Sequence, residues 1–292
     1  MQKKAPTLSV SHDTSTNNEN LTDTSKAKFL EKTSSSFQIN IDEAYCKIES
    51  NQLDDAAFFL DIATALAVAD KDNKKLTDAQ LTRAVIYIYK CDFVKYGSHI
   101  LSLRKGVSDE VYNSLQKIYE TGMNLETRSS KLKYAANLAY DSGHYLTALD
   151  LAKKITPQDN ESAKLIDKAT KTIEQIDGEY LLNKGSYMYA LDFFEKENDE
   201  AEKGRTYLAI SKSLQEANDN TQAATAEDFG RSSLFNCIKN DPNNPKANLY
   251  LALYFLDKGD KNQAKEAIRR GLNAQGENDI ITNKLLNLSE NL

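Results

Sequence analysis

Residues 245–278 read PKANLYLALYFLDKGDKNQAKEAIRRGLNAQGEN. Two apolar stretches with spacings of three and four flank Gly259-Asp260, so the segment predicts two helices joined by a turn of a residue or two. Gly tolerates the left-handed conformation that lets the last carbonyls of a helix find donors, and the chain can then reverse within two residues. The two helices are expected to pack antiparallel, as a helical hairpin. Leu251, Ala252 and Phe255 supply a large, a small and an aromatic side chain on the first helix, and Ala264, Ile268 and Gly271 the facing positions on the second.

The same order recurs upstream. Ser129 to Asn160 offers Ala135-Ala136, Gly143, Tyr145, Ala148, Ala152 and Ile155, with Pro157 as the stop, and from Lys171 onward Gly178, Leu181, Gly185, Tyr187, Ala190 and Phe194 follow in the same order. Tyr207, Ile210, Leu214 and Ala223 begin a lengthened copy, whereas Leu53 with Ala56, Leu60 and Ala63, and Phe93 with Ile100, fit loosely and lack a Gly at the turn. From residue 41 the periodicity predicts helices near 41–50, 53–70, 78–90, 93–104, 108–121, 128–142, 145–155, 160–183, 187–197, 199–217, 220–240, 245–258, 261–274 and 278–290. Thr77-Asp78-Ala79-Gln80 reads as a capping box and Ser108-Asp109-Glu110 as a capped acidic start.

This pattern resembles the tetratricopeptide repeat, whose 34-residue unit pairs small residues for close helix approach with large ones that fill the groove. The resemblance implies an all-α fold, a right-handed superhelical stack of antiparallel hairpins over residues 41–292, each covering the apolar face of the next. Arg in place of Ala148 or Ala264 is expected to split such a stack. The family's consensus residues are packing residues, so the implied function is a non-enzymatic scaffold that holds a protein or peptide partner in the concave groove.

Composition agrees. With 4 Pro, 11 Gly and no Trp in 292 residues, the chain has few breakers to spend on the turns of a sandwich or barrel. No apolar run reaches the ~20 residues of a membrane span. The net charge of -6 argues against generic phosphate-backbone binding, so nucleic acid is not an expected partner. A helical-repeat RNA binder, the rival from another class, should carry a basic stripe, and Arg104-Lys105 and Arg269-Arg270 are isolated pairs.

Chemistry is sparse. His12, His99 and His144 have no Cys or carboxylate at ligand or catalytic spacing, and Cys46, Cys91 and Cys237 read as dispersed free thiols. Asp54-Asp55 and Glu195/Glu197 read as solvated faces. Neither an enzyme nor a cofactor or metal is expected. The candidate partner-binding residues fall in two groups. Lys133, Asn137 and Tyr140 occupy outward positions of the first helix of one copy, and Lys133-x-x-x-Asn137 resembles the clamp some relatives place on a peptide carboxylate; Ile176 and Glu179 in the following copy depart from it. Leu249, Leu253 and Leu256 belong to an unbroken apolar run, 249–256, of which the hairpin core claims only Leu251, Ala252 and Phe255.

Residues 1–40 are rich in Ser, Thr, Asn and Asp, without helical or strand period, and read as a disordered tail or tether. No secretory apolar run follows Lys3-Lys4, so a cytoplasmic site is the default expectation. Two alternatives stand beside it: a secreted effector, or a periplasmic or cell-envelope lipoprotein acting as an assembly adaptor, lipid-anchored through a Cys that Met1 replaces.

Overall fold

The structure, a computed structural model, describes residues 25–274 and 279–292. Among these, sixteen α-helices and no strand are found: α1 (Ser25–Lys32), α2 (Phe37–Glu49), α3 (Leu53–Ala69), α4 (Asn73–Tyr89), α5 (Phe93–Leu103), α6 (Asp109–Asn124), α7 (Arg128–Asp141), α8 (Tyr145–Lys153), α9 (Asn160–Ile173), α10 (Gly178–Lys184), α11 (Tyr187–Lys196), α12 (Glu200–Glu216), α13 (Asn220–Asn240), α14 (Pro245–Asp257), α15 (Lys261–Leu272) and α16 (Asp279–Glu290). Most consecutive helices pack on one another, as the stacked-hairpin reading requires; α1 with α2, α6 with α7 and α9 with α10 are the exceptions. Ala148 and Ala264 are both fully buried.

One two-residue turn is used eight times. A residue with positive φ closes the helix and the next residue starts another: Asn51, Lys71, Cys91, Gly143, Gly185, Asn198, Asn218 and Gly259. Each time two backbone N–H groups satisfy the last carbonyls. Asn51 N donates to Ile48 O at 3.1 Å and Gln52 N to Lys47 O at 2.7 Å, and Gly259 N donates to Leu256 O at 3.0 Å and Asp260 N to Phe255 O at 2.8 Å. Asp then caps five of the following helices; Asp219, for example, accepts from Gln222 N at the start of α13. The early hairpins that lack a Gly therefore have the same turn as the late ones, with Asn, Lys or Cys in the left-handed position.

Four expectations need correction. The segment expected to be a tail through residue 40 carries α1 and the start of α2: Phe29 is fully buried, and of this segment only residues 1–24 lie outside the described residues. The helix expected over 160–183 is two, α9 and α10, because Asp177 caps a new start by accepting from Tyr180 N at 2.7 Å. The α4 start lies at Asp72, whose side chain accepts from Lys74 N and Lys75 N; Thr77 sits inside the helix and donates to Asn73 O at 2.8 Å. Last, contacts are not confined to neighbours in sequence, since α2 packs on α8 and α11, and α1 packs on α13.

That closure is made by α1. Phe29 meets Tyr207 edge-on at 5.0 Å between centroids and Phe229 at 5.4 Å, a trio linking α1, α12 and α13. Beside it Lys26, 5% exposed, is buried with its Nζ 2.9 Å from Glu43 of α2 and 2.8 Å from Asp192 of α11. Ile41, Ala44 and Ile48 of α2 enter the core shared by α2 to α9, while Ile39 and Cys46 enter a second core with Phe29, Met188, Leu191, Tyr207 and Ile210. One helix is thus gripped on two sides.

Candidate partner-binding site

With those two stripes of α2 buried, Asp42, Tyr45 and Glu49 share the side that is left, at helical spacings of three and four. This side faces the α7–α8 turn, with Ser142 and His144, and the α10–α11 turn, with Lys184, Gly185, Ser186 and Tyr187. Together with Tyr189 these groups line a cleft of about 250 Å³. Tyr45 stands at its mouth, 43% exposed.

Charge in the cleft is unevenly matched. Glu49 has a cation, with Lys184 Nζ at 3.3 Å, and Ser186 Oγ donates to it at 3.4 Å; burial still pushes its carboxyl up. Asp42 has none. Gln38 Nε2 donates to it at 2.8 Å, and burial raises its carboxyl to about 6 against the pull of that hydrogen bond, with the Glu43 charge adding to the rise. Burial likewise raises the Tyr187 hydroxyl, helped by the Asp42 charge, and the Tyr189 hydroxyl, helped by the Glu49 charge. His144 lies 2.7 Å from the Tyr89 hydroxyl through Nδ1 and is driven down to about 4 by burial and by the Lys184 charge. The imidazole is therefore neutral near pH 7, and the Asp42 carboxylate carries a charge that forms no ion pair among the described residues.

The residues singled out in the sequence fall elsewhere. Lys133, Asn137 and Tyr140 do share a face of α7, but the partner on that face is α9. Lys133 Nζ lies 2.5 Å from Asp159 and 2.6 Å from Glu161, and both carboxylates sit at the start of α9. Asn137 donates to Lys133 O at 2.9 Å. Tyr140 bonds Thr172 at 3.0 Å and lies beneath Lys168, whose Nζ is 4.1 Å from the ring centroid. The lysine of the supposed clamp already holds two carboxylates of its own chain.

Of the three leucines, Leu249 is buried at 2% in the core it shares with Ala201, Leu234 and Leu285, a correction to its expected place on an open surface. The second apolar stripe of α14 is covered by neighbouring helices. Leu256 is half-buried against the same core, and Leu253 stays open at 46%. His99 Nε2 is 2.8 Å from Gln80 O, its ring against Tyr87, and His12 lies outside the described residues. Among the described residues no group of three or more His, Cys, Asp or Glu side chains is placed to hold a metal ion, and no helix is long and apolar enough to cross a membrane.

Sequence reasoning missed the cleft because its walls come from 42–49, 142–144 and 184–189, joined only when α2 crosses the later hairpins. A local signal existed: Asp42, Tyr45 and Glu49 are the polar stripe of α2.

No family model matches the chain, and no curated protein matches it. Among solved structures it is similar to the P58(IPK) TPR domain, a crystal structure at 2.5 Å, with 12% identity over 91% of this chain and 81% of that one and a TM-score of 0.26. The hairpin architecture described above rests on this chain's own turns and packing.

Proposed function

We propose that the chain is a protein-interaction scaffold that receives a basic side chain of a partner segment in the cleft between α2 and the two hairpin turns. What carries the reading is Asp42, a largely buried carboxylate in an open cleft with only the neutral Gln38 amide as partner. A lysine or arginine entering there would supply the missing countercharge, and Tyr45, Tyr187 and Tyr189 offer aromatic surface to its stem and head. Sites that take a charged group this way preorganise one or two polar contacts inside a largely apolar wall. The stacked hairpins supply the rigid frame that keeps α2 and the two turns in register.

Fluorescence anisotropy with a labelled arginine-containing peptide, against the same peptide with glutamine in its place, tests this. Binding that needs the arginine, weakens with salt and drops about tenfold, or about 1.4 kcal/mol, in Asp42→Asn supports it. Equal binding of both peptides, or none by either, overturns it.

A further inference from the structure

Among the described residues, none covers the outer face of α3. α3 reads LDDAAFFLDIATALAVA and packs on α2 and α4 through a narrow stripe of Ala56, Leu60, Ala63 and Ala67, all buried. The rest of the helix is nearly as apolar. Phe58 is 60% exposed and Val68 59%, Ala65 and Ala69 are exposed, and Ile62 between them is half-buried. A helix apolar around most of its circumference is normally covered on more than one side, and contiguous patches of this kind mark interfaces. Phe58, Ile62, Ala65 and Ala69 follow the spacing of one helix face, with the small residues at the C-terminal end.

Charge along the helix points to what covers the face. Most ionic groups around it are already matched: Asp54 with Lys90, Asp61 with Arg83, and Asp70 with Lys75. Three are not. Asp55 at the first turn, and Lys71 and Lys74 just past the last, are exposed and have no ion pair among the described residues. The unmatched acid and the unmatched bases thus stand at opposite ends of the apolar face, roughly 24 Å apart at 1.5 Å per residue.

We propose that a second copy of this chain docks here, the two α3 helices lying antiparallel about a two-fold axis near Ala63. Such an axis brings Asp55 of each copy to Lys71 and Lys74 of the other, and sets Phe58 toward Val68. The contact is isologous, so each unmatched end is answered twice, and the antiparallel order also opposes the helix dipoles favourably. Ala65 and Ala69 let the two backbones approach while the Phe58 rings fill the space beside them. One helix face is at the small end of protein interfaces, so association in the micromolar range is expected.

Sedimentation velocity of the full chain across a micromolar concentration series provides the test, with circular dichroism melts to verify that each variant folds. The wild-type chain should pass from monomer to dimer, and Phe58→Asp should remain monomeric with an unchanged melt. Asp55→Lys alone, and Lys71→Glu with Lys74→Glu, should each weaken the dimer by tenfold or more, and mixing the two variants should restore a mixed dimer. A wild-type chain that stays monomeric at every concentration overturns the proposal, whatever else binds the face. So does a dimer indifferent to Phe58→Asp, or charge variants that fail to rescue each other.

Discussion

Gly204 of α12 and Gly230 of α13 lie backbone against backbone. A Cβ on Gly204 would stand 3.1 Å from the Gly230 carbonyl oxygen, and one on Gly230 would stand 2.9 Å from that of Gly204. Leu234 and Leu208 close the same gap from either side. The longest helix of the molecule is therefore held to its partner at a distance that only two hydrogens allow.

Gly230→Ala should for that reason destabilise the chain even though alanine is the better helix former by about 1 kcal/mol. The obstructing atom is a main-chain oxygen, which cannot rotate away, so a net loss of about 1–3 kcal/mol is expected. Urea unfolding of the variant should show a lower midpoint with unchanged slope.

Lys26→Met should cost more. It removes the cation that Glu43 and Asp192 share and leaves the buried Glu43 with only the more distant Lys47 Nζ at 3.5 Å, and breaking a buried pair in this way typically costs about 3–5 kcal/mol. The salt bridges and hydrogen bonds around Lys26 hold its ammonium well above the ordinary lysine range against the pull of burial, so the stabilisation is complete at neutral pH and fades only in strong base. Limited proteolysis should find new cleavage within 25–36 as α1 releases.

For Asp42→Asn the opposite sign is expected. The folded chain holds the Asp42 proton more tightly than an unfolded chain would, about 6 against about 3.9, so ionising it costs stability as pH rises between those values. The variant should match the wild-type chain near pH 4. It should then gain progressively to about pH 6 and stay ahead by about 3 kcal/mol at pH 7. Denaturant titrations of both chains across that range measure the difference directly. A residue that weakens the fold in the charged form it needs for a cationic ligand is the trade expected of a binding group.

Lys71→Gly should stabilise. Lys71 holds φ at 56°, which costs a side chain with a Cβ about 1–2 kcal/mol, partly offset by the greater flexibility of glycine in the unfolded chain. A net gain of about 0.5–1 kcal/mol in thermal or chemical unfolding checks it.

The serial architecture could be read from the chain because it is local. Gly143, Gly185 and Gly259 mark their turns in any context, and the periodicity between them located thirteen of the sixteen helices to within a few residues. Lys71 and Cys91 hold the same turn but give no such sign, since nothing in a lysine or cysteine announces a left-handed backbone; only the Asp that follows each as a cap hints at it. Helix α1 escaped for a different reason. SKAKFLEK has too little apolar surface to be stable alone, and becomes helical because Tyr207 and Phe229 receive Phe29 and two carboxylates receive Lys26. The apolar run at 249–256 misled in the other direction: Leu249 looked spare because the core it joins includes Leu234 and Leu285, from helices before and after its own hairpin.

Because Phe29 finds its ring partners only at Tyr207 and Phe229, the two ends of this core are synthesised far apart in time. A ribosome will have released most of the molecule before Phe29 meets those two rings, although Lys26 can already reach Glu43 of the next helix. Hairpins in the middle can mature as they emerge, each on the one before, while Phe29 waits for the rings that enclose it. Helix α1 is thus among the last described parts to be fully enclosed, and a truncated product ending before α12 would leave Phe29 without the two rings that receive it.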